Sequence, residues 1–207
     1  MPQVKAVVFD VGGVLIDWDP RHLYRKLFPD EPEAMERFLA TVCTPTWNAE
    51  QDRGRPWKDA VAELSARYPE HADLIAAYDE RWEEMVPGSV PGVPDVLDAL
   101  QRAGVPCYAL TNFSTDKFAL ACRRFAFLNA FDGRVVSGAE GVTKPEAKIF
   151  EVLVDRYRLE PSRTLFIDDQ PANVAAADRL GFCTHHFVGA ERLRADLRAR
   201  GLLGSGS

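Results

Sequence analysis

Short apolar runs alternate with segments of helical periodicity along most of this chain. Five runs are typical of buried strands, and they lie at Val4–Phe9, Val105–Leu110, Arg134–Ser137, Thr164–Ile167 and Cys183–Val188. Between the later runs, apolar residues recur at three- and four-residue spacing, which predicts amphipathic helices. Repeated strand–helix units predict an α/β fold with a doubly wound, mostly parallel sheet that helices cover on both faces.

The first predicted strand is followed by a long segment without a strand signal. Apolar residues there share helical faces within Met35–Val42, Trp57–Tyr68 and Leu74–Trp82. The breaker cluster Pro87–Gly92 then returns the chain to the alternating pattern. We therefore predict an all-helical insert at residues 20–87, a discontinuous core at residues 1–19 and 88–203, and a tail at residues 204–207.

Composition narrows the class of protein. The chain has 207 residues, of which 46% are hydrophobic and 27% charged, as in ordinary globular proteins. The net charge of -6 and the absence of a basic run argue against nucleic acid or an anionic membrane as partner. The first residues lack a basic segment that leads into an apolar core, so we expect no signal peptide. No apolar stretch reaches about 20 residues, and no two cysteines form a CxxC pair. We expect a cytoplasmic monomer or homodimer with four reduced cysteines.

Polar residues stand at the carboxyl ends of three predicted strands, where doubly wound sheets bind ligands. They are Asp10, the pair Thr111-Asn112 and the pair Asp168-Asp169, and Lys144 precedes Pro145 at a predicted helix start. Taken singly, each has an ordinary interpretation as a cap, a solvated acid or an exposed lysine. Together they predict a site at this edge of the sheet.

Four segments resemble the motifs of the haloacid dehalogenase-like hydrolases in order and spacing. They read "FDVGGVL", "LTNFS", "GVTKPEAKIF" and "FIDDQPANVAAADRLG". The helical insert after the first motif is similar to the helical cap of that family. The resemblance implies a Rossmann-like core, a cap that closes over the site, and a hydrolase with Mg²⁺ as cofactor.

The resemblance also implies a role for each motif residue. Asp10 is the expected nucleophile, and Lys144 neutralises it and the transferred group. Thr111 and Asn112 are expected to bind phosphate, and Asn173 to support the acids. The expected Mg²⁺ ligands are Asp10, the backbone carbonyl of Gly12, Asp168 and Asp169, with Asp169 the direct ligand of the last pair.

Gly12 departs from the pattern of most phosphatases in that family, which carry a second acid there. That acid protonates the leaving oxygen, whereas a glycine keeps only the backbone carbonyl. Phosphatases acting on sugar 1-phosphates also have glycine at this position, and their first motif resembles this one. We hypothesise that Gly12 removes the general acid, and that Asp17, Asp19 or His22 could approach the site as a substitute.

Three functions stay open at this point. The favoured one is a magnesium-dependent phosphatase that forms an aspartyl-phosphate and acts on a small phosphorylated metabolite, such as a sugar phosphate. A hydrolytic 2-haloacid dehalogenase needs no acid at Gly12, but the pair Asp168-Asp169 argues against it. A protein that only binds phosphate or a partner is the third.

The cap contains one unusual stretch, "TPTWNAEQDRGRPW". We interpret it as a loop between helices whose side chains could face the cleft and read the substrate. Trp47 and Arg53 are the predicted substrate contacts, and Asn48, Gln51 and Asp52 could join them. The alternative is that Trp47 packs inside the cap.

Overall fold

The computed structural model describes residues 3–204. Met1 and Pro2 lie outside the described residues, as do Ser205–Ser207 of the predicted tail. Its five strands are β1 (Ala6–Phe9), β2 (Cys107–Thr111), β3 (Gly133–Val136), β4 (Thr164–Asp168) and β5 (Cys183–His186). All neighbouring strands are parallel, in the order β3-β2-β1-β4-β5. β1, the first strand in the chain, is therefore central in the sheet, with β2 on one side and β4 on the other.

Eleven α-helices complete the described part of the chain. Those of the insert at residues 20–87 are α1 (Arg21–Leu27), α2 (Pro32–Thr41), α3 (Pro45–Asp52), α4 (Trp57–Arg67) and α5 (Ala72–Glu80). The others are α6 (Val93–Arg102), α7 (Thr115–Arg124), α8 (Ser137–Glu140), α9 (Ala147–Tyr157), α10 (Pro171–Arg179) and α11 (Ala190–Ala199). No helix among residues 3–204 has both the length and the apolar character to cross a membrane.

Strand side chains alternate between two apolar layers, as a parallel sheet buried on both faces requires. Val7 and Phe9 enter the larger core cluster, whereas Val8 enters a second cluster. That second cluster also holds Leu110 and Phe166 of the neighbouring strands, packed against apolar residues of α9 and α10. The predicted α/β class, with helices on both faces and an all-helical insert, is confirmed.

The insert packs around an aromatic cluster that joins its helices. Tyr24 of α1 lies 5.2 Å from Phe38 of α2 and 6.0 Å from Tyr78 of α5, between ring centroids. Tyr78 in turn stacks on Trp57 of α4 at 5.7 Å. These rings bury large apolar area and give the insert its own packed centre.

The predicted loop at the unusual stretch is wrong for its first half, because residues 45–52 form α3. The side chain of Thr44 accepts a hydrogen bond from the Trp47 N–H at 3.1 Å, and Pro45 opens the helix. A threonine cap followed by proline is a helix-start signal, although the weak apolar periodicity behind it hides the helix.

Candidate active site

The carboxyl ends of the three central strands bring the predicted polar residues together. Phe9 of β1 pairs with Ala109 of β2 and with Ile167 of β4. Asp10 and Asp168 therefore follow equivalent positions on neighbouring strands. Thr111 closes β2 at the same edge, as expected for a doubly wound sheet.

Lys144 joins two of these carboxylates. Its Nζ lies 2.8 Å from Asp10 Oδ1 and 2.7 Å from Asp168 Oδ2. Its side chain is only 1% exposed, so the ammonium is a buried charge that needs such partners. Burial alone lowers the pKa of Lys144, but Asp10 and Asp168 outweigh it and raise that pKa above its ordinary value. Lys144 is therefore held as a fixed positive charge beside Asp10.

Asp168 is fully buried and is held by donors from the following helix. Asn173 Nδ2 lies 3.0 Å from its Oδ1 and 3.1 Å from its Oδ2. The backbone N–H of Gln170 donates to Oδ1 at 2.8 Å. Together with Lys144, these donors engage both carboxylate oxygens, so Asp168 orients the site through its neighbours.

Three carboxylates form a cluster at this edge. Asp10, Asp168 and Asp169 each offer a ligand oxygen, and these atoms lie within 4.8 Å of one another. Burial raises the pKa of Asp10 to about 7, against the pull of Lys144, and the charge of Asp168 adds to the rise. Burial, then the charge of Asp168, also raises the pKa of Asp169. One lysine balances only one of three negative charges, so the oxygen set fits a hard divalent cation.

Asn112 and Thr111 of the segment LTNFS make different contacts. Asn112 Nδ2 donates to the Lys144 carbonyl at 2.9 Å, and Asn112 Oδ1 accepts from the Lys144 N–H at 2.8 Å. Its amide therefore fixes the lysine backbone, a contact that the sequence does not reveal. Thr111 Oγ1 is buried and has no hydrogen-bond partner among the described residues, but Thr111 does not line the cleft, so its contact with phosphate stays a prediction.

The two glycines after Asp10 differ in conformation. Gly13 has φ +76°, and a Cβ there would lie 2.8 Å from Asp169 Oδ2, so the acid packs against this glycine. Gly12 is outside the left-handed region, and a Cβ there would meet only Trp18 Cβ at 3.9 Å. The backbone at Gly12 can therefore accept a side chain.

A cleft of about 920 Å³ lies between the insert and this edge of the sheet. The residues of the unusual stretch that line it are Pro45, Asn48, Asp52 and Trp57. Trp47 packs edge-on against Trp57 and Tyr78, at 5.6 and 5.3 Å between ring centroids, and does not line the cleft.

Arg53 does not line the cleft either. Its Nη2 lies 2.5 Å from Glu146 Oε1, two residues after Lys144. Its guanidinium thus ties the insert to the core beside the lysine, and substrate contact by Trp47 or Arg53 stays a prediction. Gln51 is fully buried, and its side chain donates to the Trp47 carbonyl.

Two further side chains line the cleft that motif reasoning does not single out. Trp57 Nε1 donates to Ser114 Oγ at 2.9 Å, from the insert to the N-terminus of α7. Lys117 of α7 donates to the Asp79 carbonyl at 2.9 Å and pairs with its carboxylate. The only sequence signal for Trp57 is a helical apolar pattern, which is common to any packed helix.

The proposed substitute acids lie at the mouth of the cleft. Asp17 and Asp19 line it, but His22 does not. The Asp17 side chain is 49% exposed and lies 3.1 Å from His22 Nε2. Asp19 Oδ1 accepts from the Arg21 N–H at 2.9 Å.

Fold and site together define a hydrolase class, and comparison with known proteins places the chain in it. The profile of the haloacid dehalogenase-like hydrolases matches residues 4–181, most of the chain. The chain therefore belongs to that family, and the expectation of a hydrolase is confirmed.

Curated relatives with similar sequences are named as phosphatases. The sesquiterpene phosphatase astK of Aspergillus oryzae is 25% identical over 94% of this chain and 95% of its own length. The validoxylamine A 7'-phosphate phosphatase of Streptomyces hygroscopicus subsp. limoneus is 26% identical over 86% of this chain and 84% of its own.

A solved structure supports the fold. A family enzyme of Bacteroides thetaiotaomicron, determined as a magnesium complex, superposes with a TM-score of 0.73 at 22% identity. The alignment covers 95% of this chain and all of that chain. At this identity the likeness bears on the fold.

Proposed function

We propose that this chain is a magnesium-dependent phosphatase that acts on a small phosphorylated metabolite through an aspartyl-phosphate on Asp10. Residues 20–87 act as the cap, over a core formed by residues 1–19 and 88–203. The observation that carries the proposal is the buried ammonium of Lys144 between Asp10 and Asp168, at 2.8 and 2.7 Å. Phosphoryl transfer depends mostly on positioning and charge neutralisation, and this arrangement supplies both.

The acidic cluster fits the metal that the family implies. Asp10 and Asp169, with the carbonyl of Gly12, would hold Mg²⁺, and Asp168 would orient them from its contacts with Asn173 and Lys144. When bound, the ion would neutralise charge on the transferred phosphoryl group and on the acids.

Asp10 is placed to attack the phosphorus. Lys144 and the Val11 N–H both contact Oδ1, at 2.8 and 2.7 Å, which leaves Oδ2 for the new bond. The unpartnered Thr111 hydroxyl would donate to a phosphate oxygen, and Lys144 would offset its charge. Water then cleaves the aspartyl-phosphate and releases inorganic phosphate.

The cleft has room for an organic group beyond the phosphate. Its volume of about 920 Å³ lies at the upper end of ordinary ligand sites. Trp18, Trp57 and Trp82 line it with apolar surface, and Asn48 and Asp52 add polar groups. This lining suits a metabolite with both apolar and hydroxyl-bearing parts, and the relatives named above are phosphatases of organic phosphate esters.

The test is hydrolysis of p-nitrophenyl phosphate by the purified chain, with Mg²⁺ and after removal of Mg²⁺ by EDTA. We expect turnover that EDTA abolishes and added Mg²⁺ restores. Asp10→Asn should be inactive because an amide is a poor nucleophile. The matched control is Asp155→Asn, which changes an exposed acid of α9.

A parallel assay with 2-chloropropionate separates the phosphatase from the dehalogenase. Halide release that persists in EDTA, without any phosphate release from aryl phosphates or a panel of sugar phosphates, would overturn the proposal. A chain that hydrolyses neither kind of compound would favour the binding protein instead.

A further inference from the structure

Phosphoester hydrolysis at this site lacks one component, a proton donor for the leaving oxygen. Gly12 has no side chain to supply it, and an alkoxide leaves poorly without a proton. Four carboxyl groups besides Asp10 and Asp169 line the cleft, at Asp17, Asp19, Glu36 and Asp52. They differ in how far each is enclosed and in what already contacts it.

Three of the four carboxyl groups are either half exposed or already hydrogen-bonded to Arg21. Asp19 Oδ1 caps the start of α1 through the Arg21 N–H, and Asp17 is half exposed. Glu36 binds Arg21 through both oxygens, at 2.6 and 2.8 Å, and this pairing lowers its pKa, so it is held as a carboxylate. A carboxylate of that kind cannot donate a proton.

Asp52 is the enclosed member of the set. It ends α3 and lines the cleft together with Asp10, Lys144 and Ser114. Asn48, one helical turn earlier, donates from Nδ2 to its Oδ2 at 3.0 Å. Asp52 keeps partial exposure through the cleft, which a group must have to meet a substrate.

The segment that carries Asp52 is docked on the core at three points. Ser137 Oγ donates to the Asp52 carbonyl at 2.5 Å and accepts from the Phe113 N–H at 2.8 Å. Gly54, with φ +100°, lies so close to the core that a Cβ would stand 2.7 Å from the Gly138 carbonyl oxygen. Arg53 pairs with Glu146. These contacts hold Asp52 against the core, next to Ser114 at the start of α7.

We propose that Asp52, from the cap, is the general acid that replaces the side chain missing at Gly12. The inference rests on the proposed phosphatase function. As Asp10 bonds to phosphorus and the ester P–O bond breaks, the Asp52 carboxyl gives its proton to the leaving oxygen, and an alcohol departs. Asp52, now a carboxylate, takes a proton from the water that attacks phosphorus. The Asp10–phosphorus bond breaks, inorganic phosphate leaves, and both acids return to their starting forms.

The electrostatics agree with that role. Burial raises the pKa of Asp52 to about 7, although the Ser114 N–H and the charge of Lys144 pull it down. Tyr78 of α5 also lines the cleft, and its own pKa is raised by burial first and in smaller part by the charge of Asp52. An acid with a pKa near the working pH is partly protonated before transfer and can accept a proton afterwards.

The experiment measures kcat/KM for a series of aryl phosphates, from p-nitrophenyl to p-methoxyphenyl, and for the alkyl phosphate that the wild type hydrolyses best. Asp52→Asn should change kcat/KM for p-nitrophenyl phosphate by less than about threefold, because kcat/KM ends at the departure of the leaving group and that phenolate leaves without help. The variant should lower kcat for every ester, since all share the attack of water on the aspartyl-phosphate. Asp52→Asn should therefore separate the esters by kcat/KM. It should lower the alkyl ester by about 10²-fold, the lower range for a lost general acid. Asp59→Asn, an exposed acid of α4, is the matched control and should change neither.

A rescue variant keeps the idea testable if Asp52→Asn also disturbs the cap. Gly12→Asp in the Asp52→Asn background should restore at least tenfold on the alkyl ester, since position 12 has room for a side chain. A wild type that hydrolyses both classes, with Asp52→Asn lowering both equally and no rescue, would refute the role of Asp52 and leave the phosphatase intact. A wild type without phosphatase activity would overturn both.

Discussion

At the scale of single residues, the site residues differ in which of their hydrogen-bonding groups already have a partner. Lys144 contacts Asp10 and Asp168, which leaves its third N–H for a phosphate oxygen, and Asn112 binds the backbone of Lys144. Thr111 differs, because its buried hydroxyl has no partner among residues 3–204. A buried unpaired donor costs about 1–3 kcal/mol, and a bound phosphate oxygen would remove that cost.

Thr111→Val tests this point because it removes the hydroxyl and keeps the shape. We expect KM for p-nitrophenyl phosphate to rise about tenfold, the scale of one lost hydrogen bond to a charged group. Inhibition by inorganic phosphate should weaken in parallel. The melting temperature should stay equal or rise, because no protein contact is lost.

Thr164→Val is the matched control for that substitution. Thr164 is also buried and in a strand, but its Oγ1 donates to the Glu160 carbonyl at 2.8 Å, away from the site. It should lower the melting temperature and leave KM unchanged. A Thr111→Val variant that loses stability without a change in KM would contradict a role in phosphate binding.

At the scale of elements, the position of α3 decides which cap residues meet the substrate. The helix directs Asn48 and Asp52 to the cleft and leaves Trp47 among Trp57 and Tyr78. Its C-terminal end reaches the core because Gly54 and Gly138 permit a close backbone approach. The catalytic placement that we propose for Asp52 therefore depends on a turn that contributes no chemistry itself.

Gly54→Ala should displace that turn. The new Cβ would lie 2.7 Å from the Gly138 carbonyl oxygen, at a φ of +100° that side chains rarely adopt. We expect the variant to lose alkyl phosphate hydrolysis more than p-nitrophenyl phosphate hydrolysis, in the same ratio as Asp52→Asn within about threefold. Kinetics on the two esters, with a thermal melt to show folding, measure it.

Gly88→Ala is the control, because a Cβ there meets nothing within 4 Å and its φ lies outside the left-handed region. It should leave the ratio of the two rates unchanged. Equal losses on both esters in Gly54→Ala would mean that the turn supports the whole site and has no particular bearing on proton transfer.

The strands and their terminal residues could be predicted from sequence, because each signal is local. Asp10 and Asp168 each follow an apolar run, and parallel strands end at one edge. The cap side could not be predicted in the same way. Whether Trp47 or Trp57 lines the cleft depends on how α3 and α4 are rotated in the packed insert. The docking of Asp52 depends on Ser137 and Gly138, which lie more than 80 residues away in sequence.

At the scale of the whole molecule, the cap and core are joined by polar contacts around the cleft. Lys117 pairs with Asp79, Arg53 with Glu146, and Trp57 with Ser114. Several charged groups therefore lie close together between the insert and the core. A carboxyl kept there for proton transfer has an energetic cost when it ionises, and stability should show that cost as a dependence on pH.

The last prediction concerns the stability of Asp52→Asn between pH 4 and pH 8. Burial raises the Asp52 pKa from 3.8 to about 7, so the unfolded chain releases this proton before the folded one does. The stability that a protonated Asp52 allows is fully present below about pH 3.8 and declines as pH rises to about 7. An asparagine does not titrate and avoids that loss. The melting temperature of Asp52→Asn relative to wild type should therefore increase over this range and level off above pH 7.

Asp59→Asn, which removes the same charge at an exposed position, should show no such rise. A constant offset between Asp52→Asn and wild type would mean that the Asp52 carboxyl ionises as it does in water, and that it cannot hold a proton for the leaving group at neutral pH.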